Sequence, residues 1–297
     1  MSTLRFAGSV KSLWRFPVKS MGGERLEEAE VSDRGVRGDR AYALLDMETG
    51  KVVSAKSVKQ FPDILAYRAS LSRSQTSRDA TTAVQVTFPD GTTCTSDAED
   101  LDQKLSESLQ REVTLAQTAP KNYTIDQYHP DIEHADPAGH RDTVVEQKLG
   151  SAFFDEIGAP SPVPVGAFFD LFPLSVLTTS TLRHLSEIQP GSCFDERRFR
   201  MNVIVETADA GFAENDWVGR ELAIGDEVRL RITMPDPRCV MTTLALDGLP
   251  RDADVLRTLV RHNRLAVGPD SLYPCAGVYA IVEAPGTIRL GDGVEVG

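Results

Sequence analysis

The chain has 297 residues, 41% hydrophobic and 26% charged, which is enough to bury a sizeable core in one large domain or two. Its formal net charge of −12 argues against non-specific binding to nucleic acids or anionic lipids, because such binding needs a positive surface. The sequence shows neither a signal peptide nor an apolar segment of bilayer length. We therefore predict a cytoplasmic protein with no membrane or nucleic-acid partner.

Short β-like segments dominate residues 1–100 and predict a β-rich first unit. Segments such as "RFAGSVKSLWRF", "RAYALLD" and "AVQVTF" are separated by Gly, Pro, Asp and Ser, the residues typical of turns. The polar stretch from Ser72 to Thr82 is predicted to be a loop within this unit. From Asp97 to Gln110, leucines at four-residue spacing predict an amphipathic helix.

The segment from Ala119 to Asp142 has little periodicity, so we interpret it as the connection into a second domain. It contains His129, His134 and His140, which are five and six residues apart. Neither a helix face nor a strand face would align histidines at this spacing, so the pattern does not favour a metal site.

The second half mixes helical and strand patterns. Helices are predicted from Thr179 to Ile188 and from about Asp252 to His262, and strands at "FRMNVIVE", "ELAIGDEVRLRIT", "GVYAIVEA" and "GTIRLGDGVEV". We predict a β-rich α+β protein, with an N-terminal β-barrel-like domain at residues 1–118. A second β-barrel-like domain with flanking helices is predicted at residues 119–297. No Gly-rich nucleotide loop, hydrolase elbow or H-E-x-x-H motif is present.

Two short arginine clusters stand out in this acidic sequence, "DRGVRGDR" and "DERRFRMN". Guanidinium groups match the geometry of phosphate, so the clusters can be parts of a pocket for a small anion. The alternative is that these arginines form solvated ion pairs with the neighbouring acids. Sequence alone leaves both interpretations open.

Cys239 is the most informative single residue. The four cysteines contain no C-x-x-C pair, so any cysteine chemistry is done singly. Cys239 follows Pro235, Pro237 and Arg238, which provide a rigid approach and an adjacent positive charge, and both favour a positioned thiolate. A single thiolate can bind a soft metal when a cofactor supplies the other ligands. The alternative is a buried structural cysteine at the head of a strand.

The sequence resembles MOSC-domain proteins nearly from end to end. The string "LWRFPVKSMGGERLEEAEVSDRGVRGDRAYALLD" resembles the N-terminal MOSC β-barrel domain. The strings "RRFRMNVIVE", "FAENDW", "IGDEVRLRIT", "PDPRCVMTTLAL" and "CAGVYAIVEAPGTIRLGDGVEV" resemble the MOSC domain. The order of these elements makes chance similarity improbable, and it favours Cys239 as a metal ligand over a structural cysteine.

The resemblance implies a molybdenum cofactor of the molybdopterin type, held between the two domains with Cys239 as the protein ligand of the metal. The residues it implies for the phosphate and pterin are Lys19, Ser20, Arg40, Arg200, Asn202 and Arg238. An anionic phosphate and a polar ring need fixed donors, which agrees with these residue types. Taken singly, each also fits an ordinary surface, turn or strand position.

Asp170 matches a position where relatives place an acid near the cofactor. The resemblance implies that it forms a hydrogen bond with the pterin or relays a proton, so Asp170 and Cys239 are predicted to be the catalytic residues. A capping aspartate is the alternative. The sequence also departs from the family pattern, with Met201 where many relatives have proline and a looser "TTLALDGLP" segment.

The favoured function is an oxidoreductase resembling the amidoxime-reducing components, which reduce small N-hydroxylated compounds. Electrons are expected from a separate reductase or ferredoxin-type protein, because the sequence shows no cysteine-rich ferredoxin segment. The alternative is a carrier or transferase of sulfur or of the cofactor that uses a Cys239 persulfide. A binding protein that has kept the fold without turnover is a third hypothesis.

Overall fold

The computed structural model describes residues 4–71, 83–268 and 271–297, so the predicted loop from Ser72 to Thr82 lies outside the described residues. The strands in these ranges are β1 (Arg5–Arg15), β2 (Glu24–Leu26), β3 (Glu28–Ser32), β4 (Gly35–Val36), β5 (Ala43–Asp46), β6 (Arg68–Leu71), β7 (Val84–Thr87), β8 (Thr93–Thr95), β9 (Val113–Ala116), β10 (Thr124–His129), β11 (Thr143–Lys148), β12 (Leu174–Thr178), β13 (Val203–Glu206), β14 (Glu221–Ile224), β15 (Val228–Pro237), β16 (Arg264–Ala266), β17 (Leu272–Ala284), β18 (Gly286–Arg289) and β19 (Gly293–Val296). The α-helices are α1 (Leu101–Leu109), α2 (Ser151–Glu156), α3 (Thr179–Ile188) and α4 (Asp254–His262). Short 3-10 helices cover Ile64–Ala66, Glu196–Arg198, Ala213–Trp217 and Val240–Thr243.

A closed barrel of seven strands organises the larger part of the molecule. Its order is β12, β13, β1, β19, β14, β15 and β17, and β17 pairs with β12 to close the ring. Alternate residues of these strands point inward, as Leu222, Ile224, Leu230 and Ile232 do, and form one buried apolar core. Trp217 lies in the same core. The barrel therefore includes a strand from the start of the chain, β1, beside strands from its second half.

Smaller sheets build the rest of the N-terminal part around a second apolar core. β6, β7 and β8 form one sheet, and β5 pairs with β9. Leu105 of α1 packs into this core. Val240 and Leu244 belong to the same core, although they follow β15 of the barrel. The segment after Cys239 is thus packed onto the N-terminal part.

The predicted β-rich α+β fold is confirmed. Helix α3 has the predicted bounds, whereas α1 and α4 begin after the predicted first residues. The short helix α2 was not predicted. The domain division between residues 118 and 119 stays a prediction. No helix within the described ranges is both long and apolar enough to cross a membrane.

Strand β10 lies in the segment that the sequence indicated as an irregular connection. It pairs with β11 in an antiparallel hairpin, and its buried residues alternate at Ile125, Gln127 and His129. Two of these three buried side chains are polar, so hydropathy does not alternate along the strand. This is why the periodicity of the sequence did not reveal it.

Glu214 joins three parts of the barrel through a buried carboxylate. It lies in the 3-10 helix Ala213–Trp217 and accepts hydrogen bonds from the hydroxyls of Thr178 and Thr181. The Gly277 N–H of β17 also donates to it, at 3.0 Å. Burial raises the pKa of Glu214 above its ordinary value despite these hydrogen bonds. The side chain satisfies donors that would otherwise be buried without partners.

Replacing Glu214 by alanine should destabilise the fold by about 1–3 kcal/mol, because it leaves buried donors unpaired. Urea unfolding followed by circular dichroism measures this free energy. The control is Asp216→Ala, which removes an exposed carboxylate from the same 3-10 helix and should leave the unfolding midpoint unchanged. Equal midpoints for the wild type and Glu214→Ala would contradict this role.

Candidate functional site

A cleft of about 100 Å³ is lined by residues of the N-terminal part and of the barrel together. All eight site residues predicted from the sequence line it: Lys19, Ser20, Arg40, Asp170, Arg200, Asn202, Arg238 and Cys239. Among the other lining residues are Lys56, Asp236 and Tyr279, which the sequence did not indicate. Residues up to 260 positions apart in the sequence, Lys19 and Tyr279, are therefore brought to one place.

Two loops of the N-terminal part position its share of the cleft. The Lys19 N–H donates to the Tyr42 carbonyl at 2.8 Å, and the Arg40 N–H donates to the Phe16 carbonyl at 2.9 Å. The Ser20 hydroxyl accepts a hydrogen bond from the Ala55 N–H at 2.9 Å. That hydroxyl still has its own proton to donate.

Three of the lining residues have a backbone conformation that side chains disfavour. The φ angles of Ser20, Arg40 and Arg200 are 68°, 48° and 57°, in the left-handed region. Such a residue costs about 1–3 kcal/mol and persists only where its surroundings hold it firmly, as often happens at functional sites. The concentration of these conformations in one cleft is independent support for a functional role.

Asp39 is buried beside the cleft and joins its two walls. Its carboxylate accepts hydrogen bonds from the Phe16 N–H at 2.6 Å and from Asn202 Nδ2 at 2.9 Å, and it pairs with Arg40. Asn202 Nδ2 also donates to the Trp14 carbonyl, at 3.3 Å. The Asn202 carbonyl oxygen accepts from both the N–H and the hydroxyl of Ser175. The amide of Asn202 is thus occupied within the protein, which favours a positioning role.

Arg40 and Arg200 come from opposite walls and meet over one aromatic ring. Their guanidinium carbons lie 4.5 and 4.3 Å from the ring centroid of Phe16. Arg40 donates to the Arg200 carbonyl at 3.0 Å, and Arg200 donates to the Met21 carbonyl at 2.7 Å. Burial and the nearby charge of Arg40 lower the pKa of Arg200, although a guanidinium remains protonated at pH 7. Two cations held this close favour an anion between the walls.

Asp170 lies between two buried lysines. It pairs with Lys19, and its other oxygen lies 2.8 Å from Lys56 Nζ. Burial alone would raise the pKa of Asp170, but the charges of Lys19 and Lys56 and their hydrogen bonds hold it well below its ordinary value. Asp170 is therefore ionised at pH 7, which favours a hydrogen-bond acceptor over a proton relay.

The two lysines are affected differently by the same surroundings. Burial lowers the pKa of Lys19 more than Asp170 raises it. Burial also disfavours the charge on Lys56, but the charges of Asp170 and Cys239 raise its pKa above the ordinary value. Lys56 is thus the second lysine of the cleft, electrostatically coupled to Cys239.

Arg238 and Asp236 form a buried ion pair next to Cys239. Arg238 Nη1 lies 2.5 Å from Asp236 Oδ2, and Nη2 donates to the Phe199 carbonyl at 2.5 Å. Arg238 Nε is buried and has no hydrogen-bond partner among the residues that the structure describes. Burial raises the pKa of Asp236 to about 6, although the charge of Arg238 opposes this. The pair offers an unused donor and an acid that titrates near neutral pH.

Cys239 is half-buried and has a fixed backbone on both sides. It follows β15 and precedes the 3-10 helix Val240–Thr243. The Arg238 N–H donates to the Pro274 carbonyl at 2.7 Å, and the Thr242 N–H and hydroxyl donate to the Cys239 carbonyl. Among the other cysteines, Cys94 and Cys275 are buried and Cys193 is exposed. Cys239 is the cysteine that lines the cleft.

A second cavity of about 650 Å³ adjoins the cleft. The two share Lys56, Asp170, Arg238, Cys239 and Tyr279. Aromatic and apolar side chains such as Phe153, Phe154 and Leu171 contribute to its wall. The Cys239 side chain therefore lies at the junction of a cation-rich cleft and a larger, partly apolar cavity.

The sequence left open whether the two arginine clusters form an anion pocket or solvated ion pairs, and the structure shows arginines of both kinds. Arg40 and Arg200 line the cleft, one from each cluster. Arg37 pairs with Glu30 and Arg197 with Asp195, whereas Arg198 is buried and donates to backbone carbonyls. The sequence gave no signal for Lys56 in "SAKS", while the prolines beside Asp236 could have indicated a fixed carboxylate.

Comparison with known proteins identifies the family. Residues 7–126 match the MOSC N-terminal beta barrel domain, and residues 166–295 match the MOSC domain. The chain is similar to human mitochondrial amidoxime-reducing component 1, with 26% identity over 299 residues, which cover 98% of this chain and 83% of that protein. It is similar to mitochondrial amidoxime reducing component 2 of Macaca fascicularis, with 27% identity over 315 residues and coverage of 98% and 84%.

Among solved structures, the YuaD protein of Bacillus subtilis aligns with 99% of this chain and 98% of its own, with 11% identity and a TM-score of 0.46. The two domain matches lie in the order expected from the sequence and together span most of the chain. The chain belongs to the family of MOSC-domain proteins that carry an N-terminal MOSC β-barrel domain.

Proposed function

We propose that this chain is a molybdenum-cofactor-dependent reductase of small N-hydroxylated compounds, supplied with electrons by a separate protein. The observation that carries the proposal is the position of Cys239, where a cation-rich cleft meets a larger cavity. MOSC domains are linked in general to molybdenum cofactor binding, and the matched relatives are named amidoxime-reducing components. Amidoxime-reducing components work with separate electron-transfer partners. The relatives are mitochondrial by name, so a cytoplasmic location stays a prediction.

The donor set of the cleft fits an anionic, polar cofactor. Five cationic side chains and two carboxylates line it, so its field favours a phosphate. The unpartnered Nε of Arg238 offers a further donor. Ligand sites usually measure about 300–1,000 Å³, so a pterin-sized group would occupy part of the adjoining cavity as well as the cleft. Cys239 belongs to both spaces and offers a single soft ligand.

In this proposal Lys19, Ser20, Arg40, Arg200 and Arg238 hold the phosphate and pterin. Asn202 acts indirectly, because its amide fixes Asp39 against Trp14 and thereby the position of Arg40. Lys56 adds a positive charge to the wall that the cleft shares with the cavity beside Cys239. Asp170 keeps the two lysines oriented toward the cleft as an ionised acceptor.

When bound, such a cofactor supplies the two-electron reduction that cleaves the N–O bond. Conversion of N–OH to N–H also consumes two protons and releases one water molecule. Asp236 lines the cleft, and its pKa of about 6 lets it carry a proton for part of the time near neutral pH. The cavity beside Cys239 provides partly apolar walls that exclude bulk water around a small substrate.

Cys239→Ser should keep the fold and lose both molybdenum and benzamidoxime reduction, with activity falling at least about 100-fold. Serine is nearly isosteric but is a poor ligand for a soft metal. Metal analysis and activity assays on protein from a host that makes molybdopterin measure the two losses, and circular dichroism checks the fold.

The matched control is Cys193→Ser, because Cys193 is exposed and does not line the cleft. Wild-type activity in Cys239→Ser would rule out the proposed ligand. A stable sulfur adduct on Cys239 of metal-free protein, detected by mass spectrometry after treatment with a sulfur donor, would instead support a carrier.

Lys56→Met should reduce the share of protein that retains molybdenum through gel filtration by about 10-fold. Methionine keeps an unbranched apolar chain but removes one of the two cations on Asp170 and the charge near Cys239. Lys59→Met is the control, since Lys59 is exposed three residues further along. Equal molybdenum content in the two variants would exclude a role for Lys56 in cofactor retention.

Sulfate binding to the cofactor-free protein should strengthen as the pH falls from 7.5 to 5.5, on the order of 10-fold. Asp236 becomes neutral below its pKa of about 6, which releases Arg238 and makes the cleft more positive. Sulfate remains a dianion over this range, and isothermal calorimetry measures its affinity. In Asp236→Asn the affinity should be high at both pH values; an unchanged pH dependence in this variant would contradict the assignment.

A further inference from the structure

The hairpin of β10 and β11 brings together three side chains that the sequence separates. His129 is the last residue of β10, and His140 lies three residues before β11. The loop between the strands folds back so that Asp136 lies with both histidines, and each of the three offers one ligand atom within 4.8 Å of the others. Asp136 Oδ2 lies 2.6 Å from His140 Nδ1 and 3.6 Å from His129 Nδ1. His134, the remaining histidine of the loop, is exposed and lies outside this cluster.

The spacing of the three histidines did not indicate this arrangement, because neither a strand nor a helix contains it. A hairpin loop can return the chain to the end of its first strand, and here it returns His140 to His129. The centroids of the two imidazole rings lie 5.2 Å apart. The sequence gave no signal for the pair of His129 and His140.

Burial distinguishes this cluster from an ordinary surface group. The side chains of His129 and Asp136 are 6% and 10% exposed. His129 Nε2 is buried without a hydrogen-bond partner in the described part of the chain. A buried polar atom without a partner is unusual in a native protein and calls for a bound group or a functional reason. The ring nitrogen that faces Asp136 is Nδ1, at 3.6 Å, which is beyond hydrogen-bond distance, so its lone pair is available to a metal ion held between the two side chains.

The loop already holds its acid in place. The His140 N–H donates to Asp136 Oδ2 at 3.1 Å, and the Gly139 N–H donates to the Asp136 carbonyl at 3.0 Å. Arg141 pairs with Asp131 at 2.7 Å across the base of the loop. Binding of one metal ion would need only a small adjustment of the three side chains. Their ligand atoms lie within 4.8 Å of one another, and donor atoms on one zinc ion lie about 3–4 Å apart.

We propose that His129, Asp136 and His140 bind one divalent transition-metal ion of the zinc class. Two imidazole nitrogens and one carboxylate oxygen suit zinc and its neighbours, whereas magnesium and calcium prefer oxygen ligands alone. Three protein ligands leave a coordination position for water or another small ligand. His129 and Asp136 line the same cavity as Cys239, so the ion lies in the wall of that cavity. This site is separate from the proposed molybdenum site and does not depend on it.

Cobalt(II) is the probe that separates this site from the thiol of Cys239. The full-length protein is treated with a chelator, dialysed and titrated with Co²⁺ while visible absorption is recorded. We expect one equivalent to bind with d–d bands and without a thiolate-to-cobalt charge-transfer band, and Zn²⁺ to displace it. A spectrum dominated by the thiolate band would overturn the proposal.

His140→Ala should weaken Co²⁺ binding at least about 10-fold, because it removes one of three ligands from a half-exposed position. His134→Asn is the matched control: it removes an exposed imidazole from the same loop, and asparagine tolerates the φ of 64° at this position. Asp136→Asn provides a second test should His140→Ala fold poorly. Co²⁺ affinity equal to wild type in the folded cluster variants would refute the site, whatever the reductase activity.

Discussion

The site depends on the buried carboxylate of Asp39. It binds the backbone of Phe16 and the guanidinium of the adjacent Arg40 on one wall, and the amide of the distant Asn202 on the other. Removing a charge of this kind from water is costly, so the carboxylate is stable only while its partners remain in place. The Asp39 carboxylate therefore fixes the position of one wall of the cleft relative to the other. Arg40 and Arg200 meet over Phe16 because the two walls are held in this position, since two cations do not attract each other.

The two carboxylates of the cleft, Asp170 and Asp236, balance its five cationic side chains to different extents. Asp170 accepts from two lysines, which hold its pKa well below the ordinary value, whereas Asp236 pairs with one arginine and burial raises its pKa to about 6. Two carboxylates in one small space thus differ in pKa because they differ in the number of cations that pair with each. The left-handed conformations of Ser20, Arg40 and Arg200 belong to the same arrangement, since folding energy elsewhere must support both the strain and the charge repulsion.

The sequence predicted the fold class, and the eight residues that it proposed for the site line one cleft, while their roles remain proposals. The helix from Thr179 to Ile188 was found because its apolar residues repeat at helical spacing. The two prolines and the arginine before Cys239 singled it out, but only the resemblance to MOSC-domain proteins favoured a metal ligand over a structural cysteine. Strand β10 was missed because its buried positions include Gln127 and His129. Lys56 was missed for a related reason: a buried lysine has no local signature, and only its partner Asp170, 114 residues away, explains it. Sequence patterns could not predict contacts between residues that are distant in the sequence, such as Lys56 and Asp170.

The place of β1 in the barrel has a consequence for how the molecule is made. This strand, which begins at Arg5, lies between β13 and β19, and β19 ends at Val296. During synthesis β1 emerges from the ribosome long before its second neighbour, β19. The ring can close only after β19 has emerged, so one edge of β1 stays unpaired while the intervening segments collapse around their own core. Pairings this distant in sequence are slow to form, which makes the nascent chain a natural client for chaperones.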